Sequence, residues 1–157
     1  MVDVHDKGTR SRNMRAIHRS GTKPELWVRK CLFAEGYRYR LGEHYKLHKR
    51  YLPGKPDLVL PKYDCVIFIH GCFWHRHLCR DFKWPGTREQ FWRLKLNSNA
   101  ERDRTNVEEL LKNGWRVLVI WEFAIRGKGR VGEEDFLEVV KSFLKSDKNL
   151  LELEPMP

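Results

Sequence analysis

A chain of 157 residues holds one domain with a sizeable core, and no apolar run reaches membrane-spanning length. Lys and Arg number 31 against 21 Asp and Glu, a formal net charge of +10. A surplus of that size favours a polyanionic partner, because neutralising phosphates releases counterions, although membrane surfaces and generic basicity give the same sign.

The N-terminus, Met1 to Asp6, is polar and carries no signal-peptide segment. Of the four cysteines, Cys31 and Cys65 fall inside a predicted helix and strand, and Cys72 and Cys79 lie close to histidines. That pattern suits free core thiols plus a metal site in a reducing, cytoplasmic setting.

Residues 1–21 form a basic arm (Lys7, Arg10, Arg12, Arg15, Arg19) that either folds against DNA or stays solvated, with Met14 and Ile17 spaced for a short helix. Thr22-Lys-Pro-Glu25 predicts a helix start, with Thr22 as cap and Glu25 as the capping-box acid, and Gly36 as the stop. Tyr37 to Leu41 alternates and reads as a strand; residues 42 to 55 are basic and irregular. Pro56 breaks the chain before Asp57-Leu-Val-Leu60, and Pro61 to Asp64 turns it into Val66-Ile67-Phe68-Ile69. Two strands so joined form a hairpin that brings Asp57 near Ile69 and His70.

Thr87-Arg-Glu-Gln90 repeats the capping-box pattern and predicts a long helix to about Lys112, closed by Gly114. Its middle, Asn97 to Arg104, is too polar for a core and faces solvent or a ligand. Trp115 to Trp121 reads as a central strand, Arg126 to Gly132 as a basic loop, and Glu133 to Ser146 as a helix. The spacing assigns Asn149 to Pro157 no role. The order of elements predicts a single α/β domain, a mixed central sheet flanked by helices, over residues 22–146, between the arm and a tail at 147–157.

Three constellations carry chemistry. Asp57 at a strand mouth supplies a carboxylate of the kind that holds Mg²⁺ against a scissile phosphate. Pro56-Asp57 matches the first half of a PD-(D/E)xK pattern, but Phe68-Ile-His70 stands where the second acid and lysine belong. Cys72, His77 and Cys79 suit tetrahedral Zn²⁺ and need a fourth ligand. Phe73, Trp74 and Trp92, near basic residues, suit stacking or wedging at bases; covering the core is the other use of such aromatics.

Together Pro-Gly-Lys-Pro-Asp57, Cys-Val-Ile-Phe-Ile-His-Gly-Cys-Phe-Trp-His75, His77-Leu-Cys79, Thr87-Arg-Glu-Gln-Phe-Trp92, Glu101-Arg-Asp-Arg and Gly114-Trp-Arg-Val-Leu-Val-Ile-Trp-Glu122 resemble the very short patch repair (Vsr) endonuclease family. The resemblance covers roughly residues 3 to 127. It implies a restriction-endonuclease-like PD-(D/E)xK fold and a Mg²⁺-dependent enzyme. Such an enzyme nicks double-stranded DNA 5′ to the mispaired T of a T:G mismatch left by 5-methylcytosine deamination.

Position by position, it implies that Asp57 and the main-chain oxygen of Ile69 hold Mg²⁺ and that Glu25 holds metal-bound waters. It makes His75 the general base and pairs His70 with Asp103 at the leaving-group side. It inserts Phe73, Trp74 and Trp92 beside the mismatch and places Lys95 and Asn99 at bases. The arm around Met14 closes on the minor groove. A monomer working with mismatch-repair proteins such as MutL is implied as well.

The family's structural zinc takes its fourth cysteine just after Trp-Glu, where this chain has Phe123. Water, Cys31 or Cys65 takes that place, or the site is weak or empty, with Phe123 packing the loop apolarly. Two other readings stand beside this one: a sequence-specific nuclease of restriction type on the same scaffold, and a non-catalytic, zinc-stabilised DNA-binding module.

Overall fold

The computed structural model describes residues 21–76, 82–127 and 129–154. The N-terminal arm with Met14, and His77 and Cys79 of the zinc reading, lie outside the described residues.

Thr22 takes an extended backbone and its hydroxyl accepts from Glu25 N–H (3.4 Å), so the first described helix, α1, runs Lys23–Ala34 with Pro24 in its first turn. It closes as a Schellman turn. Gly36 (φ +98°) donates to Phe33 O and Tyr37 donates to Leu32 O, both at 3.0 Å. Because Tyr37 is used in that closure, the strand expected from Tyr37 shortens to β1, Arg40–Leu41, paired antiparallel with the first two residues of β4 (Leu58–Leu60). Between them, where the sequence looks irregular, β2 (Lys46–Leu47) and β3 (Arg50–Tyr51) form a small hairpin. His48 and Lys49 sit at its turn with positive φ.

β4 pairs antiparallel with β5 (Cys65–His70), giving the predicted hairpin, and β5 pairs parallel with β6 (Arg116–Trp121). The long helix α2 spans Glu89–Lys112, not from Thr87. Arg88 holds the cap position with a left-handed backbone (φ 52°), which an N-cap hydroxyl cannot use, and its guanidinium lies 4.4 Å from the Phe91 ring centroid. At the other end Gly114 (φ +87°) and Trp115 donate back to Leu111 O and Leu110 O, a second Schellman closure.

A short helix α3 (Glu122–Arg126), absent from the expectations, follows β6; α4 is Glu133–Lys145. Leu150–Leu153 then adds β7, parallel to β6. The last stretch, to which the sequence assigns no role, is therefore an edge strand of a five-stranded mixed sheet ordered β1-β4-β5-β6-β7.

Alternation along the strands divides the core. Cys65, Ile67, Leu118 and Ile120 meet Val28, Cys31 and Leu32 of α1 and Phe136, Val140 and Phe143 of α4. Val66, Phe68, Val117, Val119 and Trp121 face the other way, against Leu110 of α2 and Trp115. β5 is apolar along its length because both its faces are covered, as in the centre of an α/β sheet. No helix of the described residues is long and apolar enough to cross a membrane.

Candidate active site

The carboxyl-terminal ends of β5 and β6 open into a cleft of about 710 Å³. Thr22, the Lys23 to Glu25 turn of α1, Asp57, Ile69, His70, His75, Asp103 and Glu122 are among its walls. The hairpin register sets Leu58 against Ile67, so Asp57 meets the outgoing end of β5, where Ile69 N–H donates to its Oδ2 (2.7 Å). Burial raises the Asp57 carboxyl to about 7; the nearby Glu25 pushes the same way, while the Ile69 amide and the positive side of His75 and Arg29 only partly offset it.

Glu25 is both capping acid and cleft residue. It is buried, takes the Gly21 N–H on Oε2 (3.0 Å) and is ion-paired with Arg29 one turn on. A carboxylate acting only as a surface cap would not need burial.

Gly71 ends the strand, and the chain makes a tight turn, with His75 N–H on Gly71 O and Arg76 N–H on Phe73 O, both 3.2 Å. The turn folds His75 back over His70, with ring centroids 3.8 Å apart and planes within 5°. His75 Nδ1 hydrogen-bonds Asp103 Oδ2, reaching across from α2. The pairing therefore differs from the expectation: Asp103 is bonded to His75, not to His70. The turn brings the loop histidine, not the strand histidine, to the helix.

His70 is buried between Phe68, His75 and Trp121, and burial, with the neighbouring imidazole of His75, lowers it to about 3, so it is neutral at any physiological pH. One atom each of His70, His75 and Asp103 lies within 4.8 Å of the others.

Beside the cleft the predicted aromatics converge. Phe73, Trp74 and Trp92 lie 5.2 to 5.9 Å apart in tilted and edge-to-face pairs. The sequence reading did not single out the neighbours that extend this surface: Phe82 against Phe73, Trp84 under Arg93 (4.4 Å), and half-exposed Phe91. Lys95 is exposed on α2. Asn99 is used inside the protein at both ends of its amide, donating to Trp74 O (3.1 Å) and accepting from Arg102 (2.9 Å). It holds the aromatic loop on the helix.

Residues 2–81 match the family described as DNA mismatch endonuclease Vsr. The DNA mismatch endonuclease Vsr of Escherichia coli (strain K12) is 44% identical over 144 residues, covering 92% of this chain and 88% of that protein. The chain belongs to the Vsr family. A type II nicking enzyme of Neisseria meningitidis serogroup A / serotype 4A (strain DSM 15465 / Z2491), V.NmeAIP, is 47% identical over 82% of this chain and 87% of its own. Another, V.XorIIP of Xanthomonas oryzae pv. oryzae (strain KACC10331 / KXO85), is 40% identical over 74% and 81%. The protein is a DNA endonuclease with the mixed α/β, restriction-endonuclease-like fold of the Vsr family, which removes the non-catalytic module from consideration.

Of the zinc ligands read from the sequence, Cys72 alone falls among the described residues. Phe123 packs into the apolar cluster that contains Cys72. Cys31 and Cys65 lie in the core on the opposite face of the sheet from Cys72, and burial raises their thiols to about 11 and about 12. Of the cysteines among the described residues, Cys72 alone lies on this face of the sheet.

The catalytic cation fits better. Asp57, whose burial holds its proton up to about 7, shares the cleft with Glu25 and Glu122, a set of hard oxygen donors in which Glu25 is paired with Arg29 and Glu122 with Arg126. Glu122 was missed by the sequence reading, though it follows directly on the strand Trp115 to Trp121. So were Lys23 of α1, Lys55 of the loop before β4, Asn106 of α2 and Arg126 of α3, which also line the cleft.

Proposed function

We propose that this Vsr-family endonuclease nicks double-stranded DNA on the 5′ side of the mispaired T in a T:G mismatch, with Mg²⁺ as cofactor. The observation that carries the reading is the convergence of Asp57, Glu25, His70, His75 and Asp103 on one cleft that adjoins the Phe73-Trp74-Trp92 cluster. Asp57 and the main-chain oxygen of Ile69 would hold the metal, and Glu25 would order the water around it. When bound, Mg²⁺ supplies charge stabilisation at the phosphate and lowers the pKa of a water nucleophile.

If Asp103 accepts from Nδ1–H, the Nε2 of His75 is left unprotonated and would serve as the base. His70, neutral and stacked on it, has an N–H to offer the leaving oxygen. Asp103 in this reading acts through His75, which it orients, with His70 a neighbour. The aromatics wedge at the mispair, since unstacking a mismatched step costs less than a paired one. The arm around Met14 and Lys95 would add DNA contacts, and a monomer working with proteins such as MutL belongs to the same picture.

The names of the nicking relatives keep one competitor in view, nicking by sequence alone. The test is a panel of otherwise identical duplexes carrying T:G, T:A, C:G or other mismatches in a 5-methylcytosine context, with Mg²⁺ and nick mapping. A nick 5′ to the T, at least tenfold faster on T:G, supports the reading. Equal rates on paired DNA support the competitor.

A further inference from the structure

Beyond the cleft, a second groove of about 310 Å³ runs between the start of α1, the end of α3 and the start of α4. Its walls include Lys23, Trp27, Arg126, Arg130 and Glu133. Lys23, Pro24 and Arg126 line both the groove and the cleft, so the two are continuous. Three cations stand on the groove against the single carboxylate of Glu133.

Arg126 marks the junction. It is ion-paired with Glu122, itself a cleft residue, and this pair holds the guanidinium where groove and cleft meet. The floor between the cations is apolar: Pro24, Ile125, Val131 and Trp27, whose ring packs on Phe136 at 5.0 Å and faces the core. Cations over an apolar floor can neutralise phosphates, but they present no donor and acceptor pattern for base edges.

We propose that this groove carries the phosphodiester backbone of the DNA strand as it leaves the cleft, with Lys23, Arg126 and Arg130 as sequence-independent phosphate contacts. The proposal deepens the nicking reading and rests on it for the presence of DNA in the cleft. Nothing about the mismatch is read here; the groove adds affinity and fixes the strand's direction of exit.

The probe is the salt dependence of binding, measured on one T:G duplex and its T:A counterpart. Lys23→Gln/Arg130→Gln is compared with wild type and with Lys112→Gln/Lys145→Gln. The latter two lysines are exposed at the carboxyl-terminal ends of α2 and α4, where those helices run back to the start of β6. Removing a cation from the first turn of α1 does not oppose the helix dipole, and Arg130 is exposed, so the groove variant is expected to fold.

Each phosphate that is no longer neutralised flattens the slope of log K against log salt by about 0.9, so the groove variant should lose about 1.8. Its affinity should fall more than tenfold at about 0.1 M salt, equally on both duplexes. The control pair should leave the slope as in wild type. An unchanged slope in the groove variant, or an equal loss in the control, overturns the proposal. Because the slope is read on paired and mismatched DNA alike, it is independent of whether wild type prefers T:G.

Discussion

His75 and Asp103 are bonded to each other across the gap between the loop after β5 and the middle of α2, while the buried His70 stacks on a face of the same imidazole. The arrangement makes His75 and Asp103 one unit and His70 a separate one. His75→Ala should lower nicking about 10²- to 10⁴-fold. Asp103→Asn should lose a large part of the same factor, and the double variant little more, whereas His70→Ala combined with Asp103→Asn should be closer to additive. Single-turnover rates for the two double-mutant cycles check this. Strong coupling in the His70 cycle alone would mean that Asp103 works with His70 instead.

Asp57 gives a pH dependence of stability. Its carboxyl titrates at about 7 when folded against 3.8 as a reference, so the folded state holds the proton more tightly. That contribution to stability is full below about 4 and is lost as pH rises through about 7. Asp57→Asn should therefore raise the melting temperature at pH 8 and change it little at pH 4. Mg²⁺ should raise the melting temperature of wild type at pH 8 and leave Asp57→Asn unmoved. Thermal melts at both pH values, with and without the ion, test both halves.

Gly42 accepts no side chain. A Cβ there would stand 1.6 Å from Pro56 O, and Gly42 N–H donates to Asp57 O at 3.3 Å. Gly42→Ala must push the Pro56-Asp57 peptide, and with it the carboxylate, out of place. A stability loss of about 1–3 kcal/mol or more is expected from such overpacking, together with a fall in nicking larger than the folded fraction explains. Denaturant melts and rates at saturating Mg²⁺ separate the two effects.

Arg116 closes α4 onto β6. Its guanidinium donates to Leu144 O (2.9 Å), Ser146 O (3.1 Å) and Phe143 O, and rests 4.6 Å from the Phe143 ring centroid. Carbonyls at a helix end otherwise lack partners. Arg116→Ala should cost about 1.5–3 kcal/mol by urea melts, with nicking by the folded fraction unchanged, since the cleft lies at the other end of the strand.

Zinc gives a contrasting expectation. With Phe123 in the apolar cluster that contains Cys72 and the core thiols on the other face of the sheet, the purified protein should carry less than one zinc per chain, and Phe123→Cys should raise the content. Metal analysis of both proteins decides it; a full equivalent in wild type would contradict this account.

Much of this site was legible because it is built from local grammar. Thr22 with Pro24, the Pro56 break before Asp57, and Gly114 each set an element's end by backbone chemistry that any sequence reader can apply, and the hairpin then brings Asp57 to Ile69. The His48-Lys49 turn was not legible, because its positive-φ backbone is imposed by pairing of its short strands and carries no Asn-Gly signal. Thr87 misled for a related reason: a capping sequence is only an option, and the Arg88 contact with Phe91 took another. The His75–Asp103 bond joins residues 28 apart through a turn that no periodicity reports. Burial of Glu25, and the cleft roles of Glu122 and Arg126, depend on how three helices meet the sheet, which appears only after packing.

The most direct measurement is the nicking rate of wild type and Asp57→Ala on a duplex with one T:G mismatch, in Mg²⁺, with the product mapped. Wild type should nick 5′ to the T, and Asp57→Ala should lose roughly 10³-fold or more, the several kcal/mol expected of a metal-holding carboxylate. Asp57→Ala cutting the same bond at the wild-type rate would contradict that role.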